Sequence, residues 1–75
     1  MNPIILTEIL KEEKNDIVSQ NAAKNPNSPP EILSEVLRRL KHDKVSWFAA
    51  NNTNCPPEER SKWINEIYSK KQHSL

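Results

Sequence analysis

The stretch V-S-Q-N-A-A-K-N-P-N-S-P-P-E-I-L-S-E-V-L, Val18 to Leu37, returns twenty-seven residues later as V-S-W-F-A-A-N-N-T-N-C-P-P-E-E-R-S-K-W-I, Val45 to Ile64. Ten of the twenty aligned positions are identical. They include Ala22-Ala23 with Ala49-Ala50, Asn25 with Asn52, Asn27 with Asn54, and Pro29-Pro30-Glu31 with Pro56-Pro57-Glu58. Self-similarity at a fixed period marks stacked units, each too small to bury its apolar face alone. The opening residues join the same register: Pro3 falls on Pro30, Ile5-Leu6 on Ile32-Leu33, Ile9-Leu10 on Val36-Leu37, and Asp16 on Asp43. The reading is one domain over 1–75, with copies at 1–27, 28–54 and 55–75.

Outward from that register, the apolar spacing is helical. Ile5, Leu6, Ile9 and Leu10 form one stripe, behind an Asn2 N-cap and Pro3 at the first helical position. This helix is expected to fade near Lys14-Asn15. Asp16 and Asp43 are expected to cap two short helices, Ile17 to Lys24 and Lys44 to Asn51, barely two turns long and partly 3₁₀. Val18 with Ala22, and Val45 with Ala49, share a face in each. Ser28, Pro29 and Glu31 read as a capping box opening a helix to about Leu40, with Ile32, Leu33, Val36, Leu37 and Leu40 inward. Cys55 in place of Ser28 weakens the corresponding cap. In the last copy Glu59 and Arg60 replace Ile32 and Leu33, which suits a polar outer cap. Trp63, Ile64, Ile67 and Tyr68 then restore an apolar face, and 70–75 is expected to fray. The chain has no glycine, so Asn25, Asn27, Asn51, Asn52 and Asn54 are the expected left-handed turn residues. The fold class is all-α: about five helices, long and short alternating, in a short right-handed repeat stack.

The unit V-S-x-x-A-A-x-N-x-N-x-P-P-E resembles the variant leucine-rich repeat, a bacterial family. Val18, Ala22-Ala23, Asn25-Pro26, Pro29, Pro30, Glu31, Ile32 and Leu33 stand at its landmark positions. The resemblance covers nearly the whole chain. It implies a strand-free, right-handed superhelix and, more loosely, a likeness to HEAT and armadillo repeats. The period of 27 is longer than the family's usual unit. The iron–sulfur segment known in the family is not implied, because Cys55 is the only cysteine. No cofactor is expected.

Composition narrows function by exclusion. The net charge is +1, which creates no field for a polyanion or a membrane surface. No apolar run approaches the roughly 20 residues that span a bilayer, and no leader is visible at the amino terminus. The lone Cys55 fits a reducing cytosol. It stands where Ser28 stands in the earlier copy, without an identifiable base, so it reads as a drifted cap position rather than a nucleophile. His42 and His73 are too far apart in sequence to suggest a metal pair, and no metal site is expected. Glycine-cradled phosphate motifs are excluded outright. No catalytic constellation is identifiable, and the chain is not expected to be an enzyme.

Two features invite a partner. Trp47 and Phe48 stand where the previous copy has Gln20 and Asn21. Either the helix bearing Trp63 and Tyr68 covers them, or they form an exposed anchor, with Trp47 the more exposed. Arg38, Arg39, Lys41 and Lys44 form a basic cluster beside His42. As a nucleic-acid surface it would use Trp47 to stack a base; otherwise it is cations at a helix C-terminus. The expected function is a non-catalytic, cytoplasmic interaction module that binds a protein partner or forms a homodimer at its amino-terminal end. The alternative is a nucleic-acid-binding regulator.

Overall fold

The computed structural model describes residues 1–72, with side chains through Ser69. Five helices follow one another: α1 (Pro3–Lys11), α2 (Ile17–Lys24), α3 (Pro30–Arg38), α4 (Lys44–Ala50) and α5 (Pro57–Gln72). There is no strand among the described residues. α1, α3 and α5 pack in one row and α2 and α4 in a second, with α1 against α2 and α3 against α4 across the rows. None of the helices is long and apolar enough to cross a membrane.

The helix starts follow local chemistry. Asn2 Oδ1 accepts from the Ile4 amide at 2.7 Å. Asp16 and Asp43 each accept from the amide three residues on, Ser19 and Ser46, at 2.9 Å. α2 and α4 are α-helical throughout rather than 3₁₀. The expected capping box at Ser28 is not formed. α3 begins at Pro30, Pro29 is its N-cap, and no side chain caps it. Ser28 is instead fully buried and donates its hydroxyl to the Ala22 carbonyl at 2.6 Å, closing the end of α2. Cys55 is buried at the matching place, and its thiol reaches only the Pro56 carbonyl at 3.5 Å.

The helix ends differ from expectation for one reason. α1 and α3 stop at Lys11 and Arg38 because Glu13 and Leu40 take the left-handed backbone, at φ 59° and 56°. Each supplies the positive-φ residue that follows a helix C-cap, a place usually held by glycine. None of the asparagines has a positive φ. Asn25 and Asn52 turn the chain with side chains instead: each Oδ1 accepts from the amide two residues on, at 2.9 Å. That is the Asx-turn, which does the same job at ordinary φ.

The core lies between the rows. Leu6, Leu10, Ile32, Leu33, Val36, Leu37, Ala22, Ala23, Val45, Ala49, Ala50 and Trp63 are buried in one cluster, edged by Ile9, Phe48 and Ile67. The alanine pairs have almost no side chain to separate the backbones, and α2 and α4 approach closely there. Leu40, expected inward, is exposed because its left-handed turn swings it past the end of α3. Ile5 and Val18 also lie in the open. α5 docks through buried Trp63, whose indole N–H donates to the Lys41 carbonyl at 3.0 Å. Glu59 is not an outer cap: it turns toward α3 and pairs with Arg38 at 2.7 Å. Arg60, Ile64 and Tyr68 are exposed. The tail expected to fray is helical through Gln72, and 73–75, His73 included, lie outside the described residues.

Candidate functional site

Trp47 is not covered by α5. It is 49% exposed, and its ring meets Phe48 edge to face with centroids 5.5 Å apart. Phe48 is half-buried against the core, and the Lys24 ammonium lies 4.8 Å from its ring centroid. The indole thus rests against a neighbour that is itself packed on the core. The aromatic partners of α5 lie elsewhere. Trp63 and Tyr68 both meet the His42 ring edge to face, at 6.4 and 5.2 Å. Tyr68 Oη lies 3.3 Å from His42 Nε2. His42 is thus a contact between the α3–α4 linker and the last helix.

Trp47 borders a broad surface depression of about 520 Å³, with Asn15, Gln20, His42, Asp43 and Lys44. Two hydrogen bonds lie beside it, the first between copies and the second within the first copy. Asn15 Oδ1 accepts from the Val45 amide at 3.3 Å, and Gln20 Nε2 donates to the Asn15 carbonyl at 3.1 Å. A second depression, about 430 Å³, runs between α3 and α5 beside Leu37, Arg38, Leu40, Glu59, Lys62 and Trp63. Both are open grooves rather than enclosed cavities.

The basic cluster is divided among acids. Arg38 pairs with Glu59 at 2.7 Å, Arg39 with Glu35 at 3.5 Å, and Lys41 with Glu13 at 3.7 Å. The hydrogen bond to Glu59 holds the Arg38 guanidinium above its usual range, and the same bond holds the Glu59 carboxyl below its usual range. Only Lys44 of the four lacks an ion-pair partner among the described residues, and it lies in the Trp47 groove. Trp47, Phe48 and Lys44 come together; Arg38 faces α5 and is not part of that groove.

Burial pushes the Cys55 thiol up, against the opposing pull of Arg60. A raised thiol carries less thiolate at neutral pH, so the helix start does not activate it. Among the described residues there is no group of three or more His, Cys, Asp or Glu that could hold a metal ion.

Sequence reasoning missed the asparagine side chains as ties. Asn52 Nδ2 donates to the Ala23 and Asn25 carbonyls, at 2.9 Å each. Asn54 Nδ2 donates to the Pro26 and Ser28 carbonyls, at 2.6 and 3.0 Å. The signal was present, since both asparagines are identical across the copies. Asn27, the earlier counterpart of Asn54, likewise donates to the Met1 carbonyl at 3.3 Å. Family models, curated proteins and solved structures alike give no match to this chain.

Proposed function

We propose that this chain is a non-catalytic protein-interaction module of the cytoplasm, and that the Trp47 groove is where it takes a protein partner. The observation that carries the reading is an exposed indole packed edge to face against half-buried Phe48. A side chain already packed against a neighbour loses less rotamer freedom on binding, and tryptophan is among the residues most enriched in interface hot spots. Asn15, Gln20 and Asp43 supply polar contacts around it. The same reading places the chain among variant leucine-rich and related helical repeats, in a right-handed stack. Its support is the shared unit and the hydrogen bonds that link positions about one period apart.

Nucleic acid is the competing partner. Against it stands the pairing of Arg38, Arg39 and Lys41 with Glu59, Glu35 and Glu13, which leaves little free positive charge for phosphates. The test is a tagged pull-down from the native lysate, with and without nuclease, using wild type and Trp47→Ala. A stoichiometric protein that survives nuclease and is lost with Trp47→Ala is expected. Partners that vanish on nuclease treatment would move the function to nucleic acid. A partner indifferent to Trp47→Ala would remove this groove from the proposal.

A further inference from the structure

We infer that the partner segment taken by the Trp47 groove is proline-rich and binds in the polyproline II conformation. This rests on the groove being a protein-binding site, and it names the kind of chain that fits. The first observation is charge. Asn15, Gln20, His42, Asp43, Lys44 and Trp47 border the groove, so one acid and one cation stand in it. Just beyond, the Lys24 ammonium lies over Phe48, and Asp16, next to Asn15 in the chain, caps α2. Acids and cations balance. The groove therefore offers no field to a polyanion, whether an acidic peptide or a nucleic acid.

The second observation is the hydrogen-bonding capacity left over. The Trp47 indole N–H, unlike that of Trp63, has no acceptor among the described residues. Asn15 uses its Oδ1 on the Val45 amide, which leaves the hydrogens of its Nδ2. Gln20 gives one Nε2 hydrogen to the Asn15 carbonyl and keeps the other. Lys44 has no ion-pair partner among the described residues. Against these four donors stand Gln20 Oε1 and the Asp43 oxygen that the Ser46 amide does not use. Donors are in excess, without excess charge.

Such a surface suits a neutral chain that accepts hydrogen bonds and donates few. A helix has its carbonyls bonded internally, and a strand brings one N–H for every carbonyl. A proline has a carbonyl and no N–H, and in polyproline II the carbonyls carry no internal bonds. Proline rings are apolar and lie against aromatic rings, which is how aromatic-lined grooves take such segments. Trp47 supplies one ring, 49% exposed and edge to face with Phe48. His42 supplies a second at the same groove, edge to face with Trp63 and Tyr68 at 6.4 and 5.2 Å. A proline-rich segment is already extended before it binds, so it loses little freedom on docking.

The test titrates acetylated, amidated decaproline into the isotopically labelled full chain while its amide and indole N–H resonances are followed. Decaglutamate, a Gly-Ser peptide of the same length and a single-stranded oligothymidylate are run beside it. Decaproline is expected to move the Trp47 indole N–H and the α2 and α4 amides, to saturate below about 1 mM, and to bind alike in low and high salt. Trp47→Phe keeps a ring and loses one donor, so binding should weaken about 5-fold. Trp47→Ala should weaken it at least about 30-fold, with unchanged circular dichroism because the ring is exposed. Lys44→Gln keeps a donor without the charge and should change binding less than about 2-fold. No shift at the highest decaproline concentration overturns the inference, and so does equal binding of the Gly-Ser peptide. Tighter binding of decaglutamate or oligothymidylate, collapsing with salt and with Lys44→Gln, overturns it in favour of a polyanion. A chain that captures its protein through Trp47 but ignores decaproline would overturn the proline-rich segment alone and leave the proposed function standing.

Discussion

Asn25 and Asn52 hold the same place in the register and carry different loads. Both turn the chain through an Oδ1 bond to a following amide. Only Asn52 also satisfies two backbone carbonyls of another helix end. A buried acceptor left without its donor costs about 1–3 kcal/mol. Asn52→Ala is therefore expected to lower unfolding stability by about 2–4 kcal/mol, and Asn25→Ala by less than about 1 kcal/mol. Urea melts of the two variants decide it; equal losses would reject the tie between copies. The sequence made these residues conspicuous but hid their role. Local turn chemistry is readable within a few residues, whereas these bonds span 26 to 29 positions. The left-handed sites were hidden for the opposite reason. Which residue follows a C-cap depends on where the helix stops, and nothing in Glu13 or Leu40 announces it. Among the described residues Glu13 pairs only with exposed Lys41, a surface contact worth little. Glu13→Gly removes the left-handed penalty of roughly 1–2 kcal/mol and adds unfolded-state freedom of under about 1 kcal/mol. A net gain of about 0.5–1 kcal/mol is expected in the same melts. A loss would show that the backbone there is unstrained.

At the scale of elements, α5 departs most from what its sequence suggests. Trp63 was legible as its anchor, because it lies on the helical stripe and in the register of Val36. Glu59 was not. Its charge suggested the outside, but its register is that of Ile32, a position that faces the preceding helix. Arg38 on α3 supplies the counter-charge that lets a carboxylate stand there. This contact carries a pH sign. The Arg38 hydrogen bond lowers the Glu59 carboxyl from its ordinary 4.5. Its contribution is then fully present above about 4.5 and fades as pH falls through the folded value. Asp16, lowered from 3.8 chiefly by the Ser19 amide at the start of α2, has the same sign. The melting temperature is expected to be level through neutral pH and to fall below about pH 4.5. Glu59→Gln should be less stable at neutral pH and should lose part of that acid dependence. A variant as acid-sensitive as the wild type would show that the pair contributes nothing to holding α5.

For the whole molecule, the two tryptophans separate stability from function. Trp63 is 2% exposed and joins α5 to the core, while Trp47 is 49% exposed and meets Phe48 edge to face. A chain of this length has roughly 4–11 kcal/mol of stability in all. Removing a buried aromatic costs about 3–5 kcal/mol. Trp63→Ala therefore removes a large share of that stability, and its melting temperature is expected to drop by at least about 12 °C. Trp47→Ala loses an exposed ring and should fall by less than about 1 kcal/mol. The sequence identified both residues and their aromatic company but could not assign them. Assignment depends on where α5 lies, and α5 lies over His42 rather than Trp47 because Glu59 and Trp63 fix it to α3 and the linker. Fluorescence reads the division directly. With Trp47→Phe the remaining indole should resist acrylamide and quench freely only once unfolded. With Trp63→Phe the remaining indole should quench in the native state, and bound partner should protect it. Native-state quenching of both would mean that α5 leaves the stack readily. Protection of Trp47 without a partner would mean that the groove is already closed by the chain itself.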